Sequence, residues 1–196
     1  SAASDGYKRQ GLMVIDCIAK GKSGHAAREE GVNAIYEALA DVEWFRNYRF
    51  DKVSPLLGKV KMTVTGINAG TLHNVVPAEC RFMVDIRVNE YYTNSEIFEI
   101  IRHHVKSEMI PRSFSLNSSA IAEDHPIVRR CRQMGLSTYG SPTTSNQAVI
   151  PYVSLKIGPG DSARSHTANE YITLEEIDQA IDVFVALLDG FDFNLE

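Results

Sequence analysis

The chain has 196 residues, 44% of them hydrophobic and 23% charged, with a formal net charge of -5. That is enough apolar material for one good core or two small ones, and it offers no basic patch to hold nucleic acid by its phosphates. No apolar run nears the roughly 20 residues a membrane helix needs, no charged-then-apolar leader opens the sequence, and three cysteines without a CxxC pair fit reduced thiols, so a cytoplasmic protein without nucleic-acid or membrane partners is expected.

In chain order, the β-rich run from Gly11 to Lys20 predicts a strand that leads into the turn Gly21-Lys22-Ser23-Gly24-His25. Val32, Ile35, Tyr36, Leu39 and Val42 recur at three- and four-residue steps and predict a helix over about 31–46. Beyond Pro55 and Gly58, Val60, Met62 and Val64 alternate with Lys61, Thr63 and Thr65, the pattern of a strand with one wet face. A second long strand follows, in which Cys80, Phe82, Val84, Ile86 and Val88 alternate with Arg81, Asp85 and Arg87. Thr93-Asn94-Ser95-Glu96 has capping-box spacing, and the stripe Ile97, Ile100, Ile101, Val105 and Glu108 or Met109 carries the predicted helix on to Pro111. Phe114 and Leu116, alternating with serines, predict a short last strand.

This is the order β-α-β-β-α-β, so the fold class expected over residues 11–120 is an α+β, ferredoxin-like domain. Residues 121–196 differ in kind: a helix opening near Pro126, a Ser/Thr/Pro loop over 141–147, a strand over 152–157, and a helix opened by the capping box Thr173-Leu174-Glu175-Glu176. Two helices with one strand do not complete a layered domain, so this part is expected to be an incomplete segment of a larger α/β domain.

His103 and His104 are adjacent on a helix and point to different faces, His73 and His125 fall in loops, and no serine has the partners of a nucleophile. The polar loop Gly158–Glu170, with His166 near its tip, follows the last strand, where α/β proteins place chemistry. No HxxxH, HxD or paired-cysteine pattern accompanies it.

Four segments in order are Gly-Lys-Ser-Gly-His25-Ala-Ala, Gly70-Thr-Leu-His-Asn74-Val-Val-Pro77, Asp85-Ile-Arg87, and Gly158-Pro-Gly160 with His166-Thr-Ala-Asn-Glu170. Together they resemble the zinc-dependent amidohydrolases that include acetylornithine deacetylase, succinyl-diaminopimelate desuccinylase and related aminoacylases and carboxypeptidases. The resemblance implies a ferredoxin-like lid over 11–120, used for homodimerisation, inserted into a two-zinc catalytic domain to which the chain returns over 121–196. It also implies a small N-acyl amino acid as substrate.

By the same resemblance, His166 matches a zinc ligand. His25 matches a lid histidine that reaches the partner subunit's active site and donates to the oxyanion of the tetrahedral intermediate. Asn74 and Arg87 match residues holding the substrate carboxylate, a role that suits a guanidinium fork. Thr144, Gly160 and Ser162 fall where the family has loop contacts to substrate. Two departures stand out. The other metal ligands and the general-base glutamate have no counterpart in this sequence, and Asn146 stands where members commonly have an aspartate.

Overall fold

The computed structural model describes residues 4–28, 30–136, 138–141, 146–150, 152–161, 164 and 167–192. Its main sheet holds β2 (Gly11–Lys20), β4 (Lys61–Ala69), β6 (Glu79–Val88) and β7 (Glu108–Pro111) in the order β4-β6-β2-β7, all antiparallel. The helices α1 (Ala34–Asn47) and α2 (Asn94–Arg102) fall between β2 and β4 and between β6 and β7. The expected ferredoxin-like arrangement is therefore present.

Alternation puts Met13, Ile15, Cys17 and Ala19 of β2 and Cys80, Phe82, Val84, Ile86 and Val88 of β6 on one face. These side chains pack with Ala34, Ala38 and Phe45 of α1 and with Ile97 and Ile101 of α2 in one buried cluster. The odd-numbered residues of β6, from Glu79 to Arg87, form the opposite face, and β4 and β7 are the sheet's edges. Helix α2 starts as the sequence predicts, whereas α1 starts at Ala34 rather than near 31. Asn33 Oδ1 accepts from the Ile35 N–H, and Thr93 and Glu96 form a reciprocal capping box.

The structure corrects the second helix and the last strand. Helix α2 ends at Arg102 rather than near Pro111, and 108–111 is a strand; no strand forms at Phe114 and Leu116. The cause lies in α1. The buried Asp41 carboxylate accepts from the Lys106 and Ser107 N–H groups at 3.1 and 2.8 Å and from Ser107 Oγ at 2.6 Å, which pulls the chain off the helical path. Val105 and Met109 keep helical spacing in the sequence because one fills the core as a loop residue and the other faces it from a strand.

A second sheet is built on β1 (Ser4–Arg9), which pairs antiparallel with β8 (Ser119–Ala120) and β10 (Lys156–Gly158) and parallel with β9 (Thr138–Ser141). The expectation of one strand over 152–157 in residues 121–196 is thus corrected: that part holds β9 and β10, the latter over 156–158, and both join β1, which also carries β8, in a four-stranded sheet. Its signal was missed because β8, β9 and β10 are two to four residues long. The short ribbon β3 (Gly24–His25) with β5 (Val75–Val76) stands apart from both sheets.

Beside the second sheet lie α3 (Pro126–Gln133) and α4 (Leu174–Leu188), which meet around Cys131, Leu136 and Leu187. The opposite face of α4 is apolar and open. Leu174, Ile177, Ile181, Val185 and Leu188 recur at three- and four-residue steps, with Leu174 80% and Val185 63% exposed. A helix apolar on two faces belongs between two layers, so the incomplete α/β segment expected from the sequence is what the structure shows.

Candidate functional site

His25 sits at the end of β3, opposite Val75 of β5, and the Ala26 N–H donates to the Asn74 carbonyl at 3.0 Å. The fold therefore brings His25 and Asn74, 49 residues apart in sequence, to one exposed tip. At that tip the Ala27 N–H donates to His25 Nδ1 at 3.1 Å. A neutral imidazole accepting at Nδ1 carries its proton on Nε2, so the ring presents an N–H donor away from its own backbone. A cleft of about 440 Å³ lies beside the ribbon, lined by Asn33, Ile35, Leu72, His73, Val75 and Pro77 among others.

Arg87 is elsewhere. It lies opposite Leu12 and Lys61, at the end of β6 where β2 begins, eight residues along the strand from Glu79. At about 3.3 Å per residue that is roughly 26 Å from the end bearing the His25–Asn74 tip. One copy of the chain cannot close Asn74 and Arg87 on the same carboxylate. Asp85, two residues back on the same face, accepts from Arg87 Nε at 2.7 Å and from Nη2 at 3.0 Å. This pairing, missed in the sequence, was signalled by opposite charges at i and i+2 of a strand. It fixes the guanidinium plane and leaves the Nη1 edge outside the pair.

Gly160 has φ +81 and lies against Ile172, a backbone conformation that suits glycine. Thr144, Ser162 and His166 lie outside the described residues. Around that loop, Arg164 donates to both oxygens of the Glu176 carboxylate, at 3.1 Å from Nη1 to Oε2 and closer from Nη2 to Oε1, with its guanidinium 4.6 Å from the Tyr171 ring centroid. Glu176 also accepts from the Thr173 N–H at 2.9 Å, closing the capping box of α4. Arg164 above all, and then Thr173, holds the Glu176 carboxyl down to about 2.

The three cysteines, Cys17, Cys80 and Cys131, are buried. Burial, with the nearby Asp41 and Asp16 charges, pushes the Cys17 thiol up to about 12, so it is no nucleophile. Among the described residues no group of three or more His, Cys, Asp or Glu side chains is placed to hold a metal ion. The described donor set alone thus does not fit a zinc centre.

A profile of the M20 peptidase dimerisation domain matches residues 7–113, more than half of the chain. The chain belongs to the M20 dimerisation-domain family. The M20 chain is 23% identical over 190 residues to a [LysW]-lysine/[LysW]-ornithine hydrolase of Sulfurisphaera tokodaii, covering 90% of this chain and 52% of that protein. It is 25% identical over 101 residues to succinyl-diaminopimelate desuccinylase 2 of a Ruegeria species, covering 50% of this chain and 26% of that one. In fold it is similar to the aminopeptidase PepT of Bacillus cereus, with a TM-score of 0.76 at 17% identity over 96% of this chain and 54% of the other. The chain spans about half, or less, of the length of these relatives.

Proposed function

We propose that this M20 chain is the lid and following catalytic-side segment of a metal-dependent amidohydrolase that frees an amino acid from an N-acyl group, most like acetylornithine deacetylase. In this reading 11–120 is the lid and 121–196 the return into the catalytic domain, with β1 joining the latter. Relatives named as a desuccinylase, a hydrolase of [LysW]-lysine or [LysW]-ornithine, and probable carboxypeptidases support hydrolysis as the reaction class. Three buried cysteines without a CxxC pair support a reducing compartment such as the cytoplasm.

The observation that carries the reading is the geometry of the lid's two ends. At one end His25 offers an Nε2–H donor beside Asn74, suited to an oxyanion and a neighbouring polar group. At the other, Arg87 keeps a free guanidinium edge, suited to a carboxylate. Two copies bring opposite ends together if the lids pair, so that the tip of one serves the Arg87 end of the other. The surface that favours such a homodimer is the β4 edge with the outer face of α1, where Tyr36 is 70%, Leu39 49%, Ile67 54% and Leu72 63% exposed. Zinc, which the family resemblance implies, would take His166 and ligands from beyond the described residues.

The test is release of acetate from N-acetylornithine by the full-length protein that carries this segment, with succinyl-diaminopimelate and a dipeptide as rivals. Hydrolysis of any of the three, abolished in His166→Ala, supports the amidohydrolase, and the preferred substrate assigns the acyl group. Equal turnover with and without His166 removes its metal role. A second reading, a non-catalytic dimerisation module, is favoured by the missing metal cluster among the described residues. Stoichiometric zinc binding by the 196-residue chain in calorimetry would argue against it.

A further inference from the structure

The chain passes between its two sheets twice, through Gln10 on the way into the lid and through 112–118 on the way out. The two crossings press together. The Leu12 N–H donates to the Leu116 carbonyl at 2.8 Å, and Ser118 Oγ donates to the Arg9 carbonyl at 2.6 Å. A Cβ on Gly11 would lie 2.6 Å from the Ser118 nitrogen, so the approach requires glycine. Two touching crossings make a hinge, which holds the units together and leaves rotation between them to be opposed by something off the axis.

Among the described residues, one carboxylate is placed to supply it. Lys8, on β1 of the second sheet, places Nζ 2.9 Å from Oε1 of Glu90, which follows β6 of the lid. Ser54 Oγ donates to the same oxygen at 2.9 Å, and Gln10 Nε2 donates to the nearby Leu57 carbonyl at 3.0 Å. The Lys8 and Glu90 side chains are only 16% and 9% exposed, against 56% and 43% for the Arg112–Asp16 pair within the lid. A pair so far out of water is weakly screened, and losing Lys8 leaves the Glu90 carboxylate with Ser54 alone. Glu90 Oε2 is buried with no hydrogen-bond partner, so the carboxylate depends on its Oε1 contacts alone.

We propose that Glu90, gripped by Lys8 and Ser54, is a positioning residue: it latches the two-crossing hinge and so sets where Arg87, three residues earlier, presents its free edge relative to the second sheet. The latch stands on the contacts just described. Only the choice of Arg87 as the group positioned rests on the proposed function.

Pulsed dipolar spectroscopy between spin labels on Ser95→Cys of α2 and Asp178→Cys of α4 tests it on the chain itself, since the native cysteines are buried. The wild-type background gives one narrow distance. Lys8→Met and Glu90→Gln each broaden or shift it, Ser54→Ala does so less, and Arg112→Met, which breaks an ion pair inside the lid, leaves it unchanged, with circular dichroism constant throughout. An unaltered distribution in Lys8→Met and Glu90→Gln overturns the latch, as does equal broadening in Arg112→Met. If either latch variant fails to fold, Ser54→Ala decides alone: an unaltered distance overturns the proposal. In the full-length enzyme Glu90→Gln is expected to raise KM about tenfold with kcat held. A moved distance with unchanged KM overturns Arg87 as the positioned group.

Discussion

Asp85 occupies the Nε–Nη2 edge of Arg87, so under the proposed function a substrate carboxylate would meet a guanidinium already held in plane. Arg87→Lys keeps the charge and loses the fork, and is expected to raise KM by about ten- to a hundredfold with kcat little changed, with Asp85→Asn giving a smaller rise in the same direction. Steady-state kinetics on the full-length enzyme check both. At Glu176 the expectation concerns pH. Its folded pKa of about 2 lies below the ordinary 4.5, so the unfolded chain binds the proton more readily. The stabilisation is complete above about pH 4.5 and is lost as pH falls from there through 2. Hydrogen exchange of the first turn of α4 should accelerate across that window, and Arg164→Met should flatten the change. The motif Asp85-Ile-Arg87 was legible as a motif, whereas the His25 tautomer was not, because it depends on the turn that brings the Ala27 N–H to Nδ1.

At the scale of elements, Asp41 decides where α2 stops. Asp41→Ala removes the acceptor for two backbone N–H groups and a hydroxyl, and is expected to cost about 3 kcal/mol in urea denaturation. Thr93→Ala, which loses only the cap of α2, is expected to cost about 1 kcal/mol. Strands β2 and β6 and the starts of α2, α3 and α4 were readable because each carries its signal locally, as alternation, a capping residue or a proline in the first turn. The end of α2 was not, since the acceptor lies 65 residues away in α1 and the apolar spacing runs across the break. For the same reason β1, β8, β9 and β10 were under-read: short strands show their pattern only when paired.

At the scale of the whole molecule, Asn74 beside the β3–β5 ribbon and Arg87 on β6 lie far apart in one copy, and under the proposed function pairing of two lids would reconcile them with one substrate. Leu39→Glu with Ile67→Lys, on the outer face of α1 and the β4 edge, should convert a dimer of the chain to a monomer in sedimentation equilibrium while leaving its circular dichroism intact. The most direct measurement mixes two full-length variants, His25→Ala and Arg87→Met, each inactive or nearly so alone. A mixed dimer keeps one intact site, made by Arg87 of the first variant and His25 of the second, so random exchange at equal amounts should restore about a quarter of wild-type activity. No recovery on mixing, with exchange of subunits verified, would contradict a site shared between two lids.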